Sequence, residues 1–88
     1  MPYAVATPTT LLDAPAHERL HVTFIGFDSV RERCRRVGVG VGTELMVREA
    51  TDTHLVLEVG RARPVTLDLL AARFVQVVCA TCREHRAA

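Results

Sequence analysis

Two cysteines and a histidine near the C-terminus have the spacing of a metal-binding segment. Cys79 and Cys82 are three residues apart, and His85 follows three residues later. Thiolate and imidazole groups are ligands that zinc and other thiophilic transition metals prefer. A structural zinc site takes four ligands, so the fourth would come from Glu84, from a histidine elsewhere or from a second protomer. The alternative is a reduced polar tail that holds no metal, since one C-x-x-C is half of the usual zinc signature.

Arginines in the middle of the chain form the second group with recognisable chemistry. The four residues are Arg31, Arg33, Arg35 and Arg36. Guanidinium groups bind carboxylates and phosphates through paired hydrogen bonds, so these side chains are predicted to contact a partner protein. Glu32 lies among them, and the alternative is a solvated helix face that this carboxylate partly neutralises.

The remaining reactive side chains lack the patterns typical of catalysis. The sequence contains no paired-carboxylate motif, no local serine–histidine–acid signature and no H-E-x-x-H motif. All eleven basic residues are arginine, which excludes Schiff-base and serine–lysine mechanisms. The glycine-rich stretch 38–42 precedes a predicted strand, whereas a phosphate-binding loop follows one and opens a helix. We therefore predict that the chain is not an enzyme and requires no cofactor.

The other cysteine and the other histidines are interpreted as structural or solvated residues. Cys34 is predicted to act as a small apolar residue on the buried face of a helix. Three histidines lie on predicted strands and turns, where exposed titrating groups are commoner than metal ligands. They are His17, His21 and His54.

Length and charge limit the function classes further. Eighty-eight residues with 49% apolar side chains make one small domain. A net charge of +1 supplies no general attraction to nucleic acid or anionic lipid. The sequence shows no secretory signal and no apolar run of the roughly 18 residues that span a bilayer. Three cysteines, an odd number, fit a reducing compartment, so we expect a cytoplasmic protein that does not insert into membranes.

The arginines are predicted to lie on a helix that begins at Ser29 and stops at Gly38. Ser29 and Glu32 have the spacing of a capping box. Glu32 and Arg36 form a favourable pair one turn apart. Gly38 is predicted to end the helix in a left-handed conformation. Three apolar residues share the other face, namely Val30, Cys34 and Val37.

Five short strands are predicted around this helix. They cover residues 20–27, 43–49, 54–60, 65–67 and 74–78. In the first strand, alternation places Phe24 on the core face and Ile25 on the opposite face. Asp68 is predicted to cap a helical turn over 69–72. Short, closely spaced strands with one short α-helix predict a mainly β fold, a small and partly open SH3-like β-barrel. The predicted divisions are a flexible lead-in (1–10), the domain (11–78) and a polar tail (79–88).

With these elements in order, the chain resembles the ferrous-iron transport A (FeoA) family. The resemblance covers about residues 11–78. Its motifs are LLDAP at 11–15 with Glu18-Arg19, RRVG at 35–38, GTEL at 42–45 and LDLLAARFVQV at 67–77. The resemblance implies an SH3-like fold and a cytosolic, non-catalytic role. The implied partner is the membrane Fe(II) transporter whose cytoplasmic part includes a GTP-binding domain (FeoB-type).

The chain also departs from the family pattern. Val37 and Val39 stand where leucines are usual, and Val41 replaces a frequent proline. The hairpin at 50–53 is shorter than the family's loop. SH3-like domains of iron-dependent repressors are similar, but no DNA-binding helices precede this one in the sequence.

Three hypotheses follow from the sequence. The preferred one is an accessory protein that binds the Fe(II) transporter. The alternatives are a zinc or transition-metal module, which includes a metal-bridged homodimer, and an SH3-like nucleic-acid-binding domain.

Overall fold

One antiparallel sheet and two helices account for the computed structural model, which describes residues 9–80. The elements are β1 (Thr9–Thr10), a 3₁₀ turn (Leu11–Asp13), β2 (Arg19–Ile25), α1 (Asp28–Arg36), β3 (Glu44–Ala50), β4 (His54–Val59), β5 (Val65–Asp68), α2 (Leu69–Ala72) and β6 (Val75–Cys79). The strand order is β1-β6-β2-β3-β4-β5. The predicted mainly β class is confirmed, and the sheet forms a partly open SH3-like barrel.

The five predicted strands are present, and their ends differ from the predicted ones by at most two residues. β1 is an additional strand, formed by two residues that the sequence predicts to lie in the flexible lead-in, Thr9 and Thr10. They pair instead with Val77 and Gln76 of β6. β6 also runs one residue further than predicted, because Cys79 pairs with β2. The first and last paired segments of the described chain therefore lie side by side.

Aliphatic side chains and one cysteine fill the interior. The largest fully buried side chains are Leu11, Leu20, Val22, Cys34, Leu55, Leu57, Val75 and Val77. No polar or charged residue is buried among residues 9–80. α1 contributes Val30 and Cys34 to the core, and Val37 packs against it, as predicted. Among the described residues, no helix has the length and apolarity needed to cross a bilayer.

The start of α1 differs from the predicted capping box. The helix begins at Asp28, one residue early, and Phe27 occupies the N-cap position with φ 64°. The amide of Arg31 donates to the Phe27 carbonyl at 3.0 Å, which closes the first turn. Ser29 therefore lies inside the first turn and makes no cap. Glu32 pairs with arginines further along the helix instead of reaching back to the N-terminus.

The end of α1 is as predicted. Gly38 has φ 85°, a left-handed conformation that glycine adopts without side-chain strain. Its amide donates to the Arg35 carbonyl at 3.0 Å, and the Val39 amide donates to the Cys34 carbonyl at 2.8 Å. These two bonds form a Schellman motif and bury Val39 beside the helix end.

A β-bulge in β2 overturns the predicted alternation. Val22 lies opposite Val77, whereas Phe24 lies opposite Gln76, so β2 has one extra residue between the two pairs. The extra residue reverses which face the following side chains occupy. Phe24 is consequently 52% exposed, and Ile25 takes the core position with 2% exposure.

Candidate partner-binding surfaces

Three phenylalanines meet on the surface near the N-terminus of α1. We call this cluster, Phe24, Phe27 and Phe74, the phenylalanine patch. These are all the phenylalanines of a chain that otherwise has one tyrosine and no tryptophan. Phe24 and Phe27 are 52% and 64% exposed. The buried core of residues 9–80 contains no aromatic side chain. Aromatic residues are a major source of buried area in most proteins. Here only Phe74, which is half-buried, packs against the core.

The rings of the phenylalanine patch form the walls of an open groove. Phe27 and Phe74 pack edge to face, with ring centroids 4.9 Å apart and an interplanar angle of 88°. The Gly26 amide donates to the Phe74 carbonyl at 2.9 Å, which ties the two chain segments together. The groove has a volume of about 350 Å³ and is also lined by Arg73 and Gln76. It presents an apolar surface with one cation and one amide beside it.

The backbone at Phe27 is unfavourable for a phenylalanine. Its φ of 64° and ψ of 137° lie in a region that residues with a Cβ rarely adopt. Such a conformation costs of order 1–3 kcal/mol. The mostly exposed ring recovers little of this by burial. Folding alone would therefore favour glycine at this position.

The four arginines of α1 all pair with carboxylates of the same chain. The pairs are Arg31 with Asp28, Arg33 with Asp68 at 3.0 Å, Arg35 with Glu32 at 2.6 Å and Arg36 with Glu32 at 3.7 Å. Four guanidinium groups thus face three carboxylates, which leaves an excess of one positive charge. All of the pairs are exposed, and such pairs contribute about 0–1 kcal/mol each. Partner contact through these arginines stays a prediction.

Cys79 is the one predicted metal ligand that lies within the described residues. It ends β6, is half-buried, and its thiol lies 3.8 Å from the Glu18 carboxylate as a hydrogen-bond donor. Cys82 and His85 lie outside the described residues. Within residues 9–80, no group of three or more histidine, cysteine or acidic side chains could hold a metal ion. The metal site stays a prediction, to which the structure adds Glu18 as a neighbouring carboxylate.

Cys34 has the structural position predicted for it. Its side chain is fully buried in the face of α1 that meets the core. Burial raises the pKa of the Cys34 thiol, and the negative charge of Asp68 raises it further. A thiol held in the neutral form is a poor nucleophile and metal ligand, so this cysteine serves packing.

Of the three remaining histidines, one is exposed as expected, whereas His21 and His54 are half-buried on β2 and β4. His17 is exposed in the turn before β2. His54 is half-buried, and its Nδ1 lies 2.9 Å from the Thr53 hydroxyl and 3.3 Å from the Thr51 hydroxyl. These contacts organise the β3–β4 turn.

The phenylalanine patch is the surface that sequence reasoning missed. Alternation placed Phe24 in the core, and no pattern in the sequence reveals the bulge that turns it outwards. A partial signal was present for the other two residues. Phe27 and Phe74 are the last residue of one predicted strand and the first of another, and antiparallel pairing brings such ends together.

Comparison with known proteins identifies the fold. No protein-family model matches the sequence, and no curated protein matches it. The crystal structure of an iron uptake regulatory protein (FeoA) superposes with a TM-score of 0.73 at 19% identity, covering 82% of this chain and 97% of that one. A FeoA-like protein from Clostridium acetobutylicum gives 0.72 at 16% identity, covering 86% and 91%.

A manganese-dependent transcriptional repressor also shares the fold. Its TM-score is 0.74 at 16% identity, and the match covers 86% of this chain but 44% of the repressor. The chain therefore has the FeoA-like, SH3-like fold that the sequence motifs implied.

Proposed function

We propose that this protein is a cytosolic, non-catalytic accessory protein of bacterial ferrous-iron uptake. In this role it binds the cytoplasmic GTP-binding part of a membrane Fe(II) transporter of the FeoB type. One observation carries the proposal, namely a FeoA-like fold that extends over 97% of an iron uptake regulatory protein. The motifs at 11–15, 35–38, 42–45 and 67–77 support the same role.

The surface of the barrel suits an adaptor. The phenylalanine patch and the arginine face of α1 adjoin each other, because Asp28 follows Phe27 directly and pairs with Arg31. Arg31 also donates to the Ile25 carbonyl at 3.4 Å, at the end of β2. Apolar rings beside exposed charges are the composition of many protein interfaces.

Calorimetric titration with the soluble GTP-binding domain of the transporter tests the proposal. The titration uses reducing buffer at near-physiological salt. We expect saturable association with a dissociation constant in the micromolar range, typical of transient partners. Absence of binding at protein concentrations of about 100 µM would contradict the proposal.

A second candidate function is metal binding at the C-terminal segment. The observation that favours it is the Glu18 carboxylate, 3.8 Å from the Cys79 thiol. Glu18 would complete a four-ligand set with Cys79, Cys82 and His85, and zinc accepts such a mixture of sulfur, nitrogen and oxygen ligands.

Elemental analysis of tag-free protein tests this second candidate. We expect about one zinc per chain, and its loss from a Cys79→Ser/Cys82→Ser variant. Cys34→Ala is the matched control, since it removes a buried thiol and should leave the metal content unchanged. Traces of metal that persist unchanged in the double variant would rule the site out.

A further inference from the structure

The exposed rings of the phenylalanine patch have the properties of a protein-binding surface more than those of side chains that stabilise the fold. Phe24 and Phe27 expose more than half of their surface. Neither of these two rings belongs to the buried core, whereas Phe74 is half-buried and packs against it. Contiguous exposed apolar groups on a small protein typically mark an interaction site.

Backbone features hold the rings in place before any partner arrives. The bulge in β2 turns Phe24 outwards. At Phe27, where φ is positive, a second ring packs edge to face with the ring of Phe74. A site built in this way loses little conformational freedom on binding, which favours affinity.

The charge beside the groove defines the chemistry of the occupant. Arg73 is exposed and lines the groove. Among residues 9–80 no carboxylate forms an ion pair with it, whereas every arginine of α1 has one. Its guanidinium is therefore available for a carboxylate of a partner. Gln76 adds an exposed amide that can bond a peptide backbone.

We infer that the phenylalanine patch binds a short acidic and apolar segment of the partner protein. A large aliphatic or aromatic side chain of that segment inserts among the three rings, and a neighbouring Asp or Glu pairs with Arg73. Aromatic residues and arginine are the types that dominate binding energy at interfaces. The inference rests on the proposed function in one respect: the segment belongs to the transporter's cytoplasmic part.

Peptide binding to the full-length protein tests the inference. The probes are overlapping peptides of about 15 residues that tile the transporter's cytoplasmic part, together with its intact GTP-binding domain. Fluorescence anisotropy gives the dissociation constants. Peptides that bind should contain a bulky apolar residue next to Asp or Glu.

Variants locate the site. Phe24→Ala and Phe27→Gly should each weaken binding about tenfold or more, as should Arg73→Glu. Leu70→Ala is the matched apolar control, since Leu70 is 56% exposed and lies outside the groove. Arg48→Glu is the matched charge control on β3. Both controls should bind within about twofold of wild type. Thermal unfolding confirms that each variant is folded.

The outcomes separate the two claims. If the wild-type protein binds neither domain nor peptide, the proposed function is wrong and the inference fails with it. If wild type binds and the three patch variants bind equally well, only the inference is wrong. Two further results would overturn it by showing another occupant. One is a wild-type dimer that Phe27→Gly converts to a monomer in sedimentation. The other is binding to phosphatidylcholine–phosphatidylglycerol vesicles that the same variant loses.

Discussion

At the scale of single residues, Phe27 combines two features that do not stabilise the folded state. Its backbone has a positive φ, and its ring remains 64% exposed. The edge-to-face contact with Phe74 recovers part of the cost, since such ring pairs contribute about 0.5–1.5 kcal/mol. Cys34 shows the opposite arrangement, because its side chain is fully buried in the core.

A pair of substitutions at Phe27 separates backbone strain from ring packing. Both Phe27→Ala and Phe27→Gly remove the ring, but only glycine relieves the positive φ. We expect Phe27→Gly to unfold with a free energy about 1 kcal/mol higher than Phe27→Ala, and within about 1 kcal/mol of wild type. Urea denaturation measures all three proteins. Equal stability of the two variants would show that this backbone conformation costs nothing.

The buried thiol of Cys34 predicts a pH dependence of stability. Its pKa in the folded state lies above the ordinary value of 9.0, so the unfolded chain releases the proton first. The contribution is therefore fully present below about pH 9 and is lost as the pH rises through the folded pKa. No lysine is available to titrate in this range, which makes the effect easier to isolate.

Urea denaturation at several pH values under reducing conditions checks this prediction. The free energy of unfolding of wild type should fall as the pH rises above about 9. The same measurement on Cys34→Ala should give a flatter profile, because Cys79, the other cysteine within residues 9–80, is only half-buried. Parallel profiles for the two proteins would contradict a role for Cys34.

At the scale of secondary-structure elements, Asp68 joins three parts of the fold. It ends β5, caps α2 by accepting from the Ala71 amide at 3.2 Å, and pairs with Arg33 of α1 at 3.0 Å. The cap and the ion pair use the same carboxylate oxygen. A single side chain thereby sets where a strand becomes a helix and how that helix meets α1.

Substitution of Asp68 separates its cap from its charge. Asp68→Ala removes both and should cost about 1 kcal/mol of stability. Asp68→Asn retains a good capping group and should cost about 0.5 kcal/mol or less, since the ion pair is exposed. Arg33→Ala is the complementary control and should match Asp68→Asn. The measurement is the free energy of unfolding of each variant in urea. A larger loss of stability in Asp68→Asn than in Asp68→Ala would refute the capping role.

Local signals made most elements predictable. Gly38 and Asp68 have conformational preferences that act within one turn, so the end of α1 and the start of α2 are where the sequence placed them. Errors arose where tertiary pairing overrides local preference. The bulge before Phe24 depends on how β2 aligns with β6, and the early start of α1 depends on the strained turn at Phe27.

At the scale of the whole molecule, the charged face of α1 and the apolar phenylalanine patch differ in the side chains that surround them. Each arginine of α1 pairs with a nearby carboxylate, whereas Arg73, the one charged residue that lines the groove among the described residues, has no such pair. Binding through the patch would depend mainly on apolar contact, which salt does not screen. Binding through the α1 face would depend on charge. The patch could not be located from periodicity alone, because it is assembled from separate segments, whereas the arginines lie on one helix that the sequence predicts.

The salt dependence of partner binding distinguishes these two surfaces. We expect the dissociation constant for the transporter's GTP-binding domain to change by less than about threefold between about 50 and 500 mM NaCl. The measurement is calorimetric titration at each salt concentration. A loss of affinity of about tenfold or more would assign the main contact to Arg31, Arg33, Arg35 and Arg36 instead.

The pairing of β1 with β6 also governs how the fold responds to tension. Thr9 lies opposite Val77, so the described chain enters and leaves the sheet at the same end of this strand pair. A force applied to the two termini would break the backbone hydrogen bonds between β1 and β6 one after another. It would not load all of these bonds at the same time. In an optical trap we expect the first event to be a small extension at low force. In this event β1 separates from β6, and Leu11 then leaves the core.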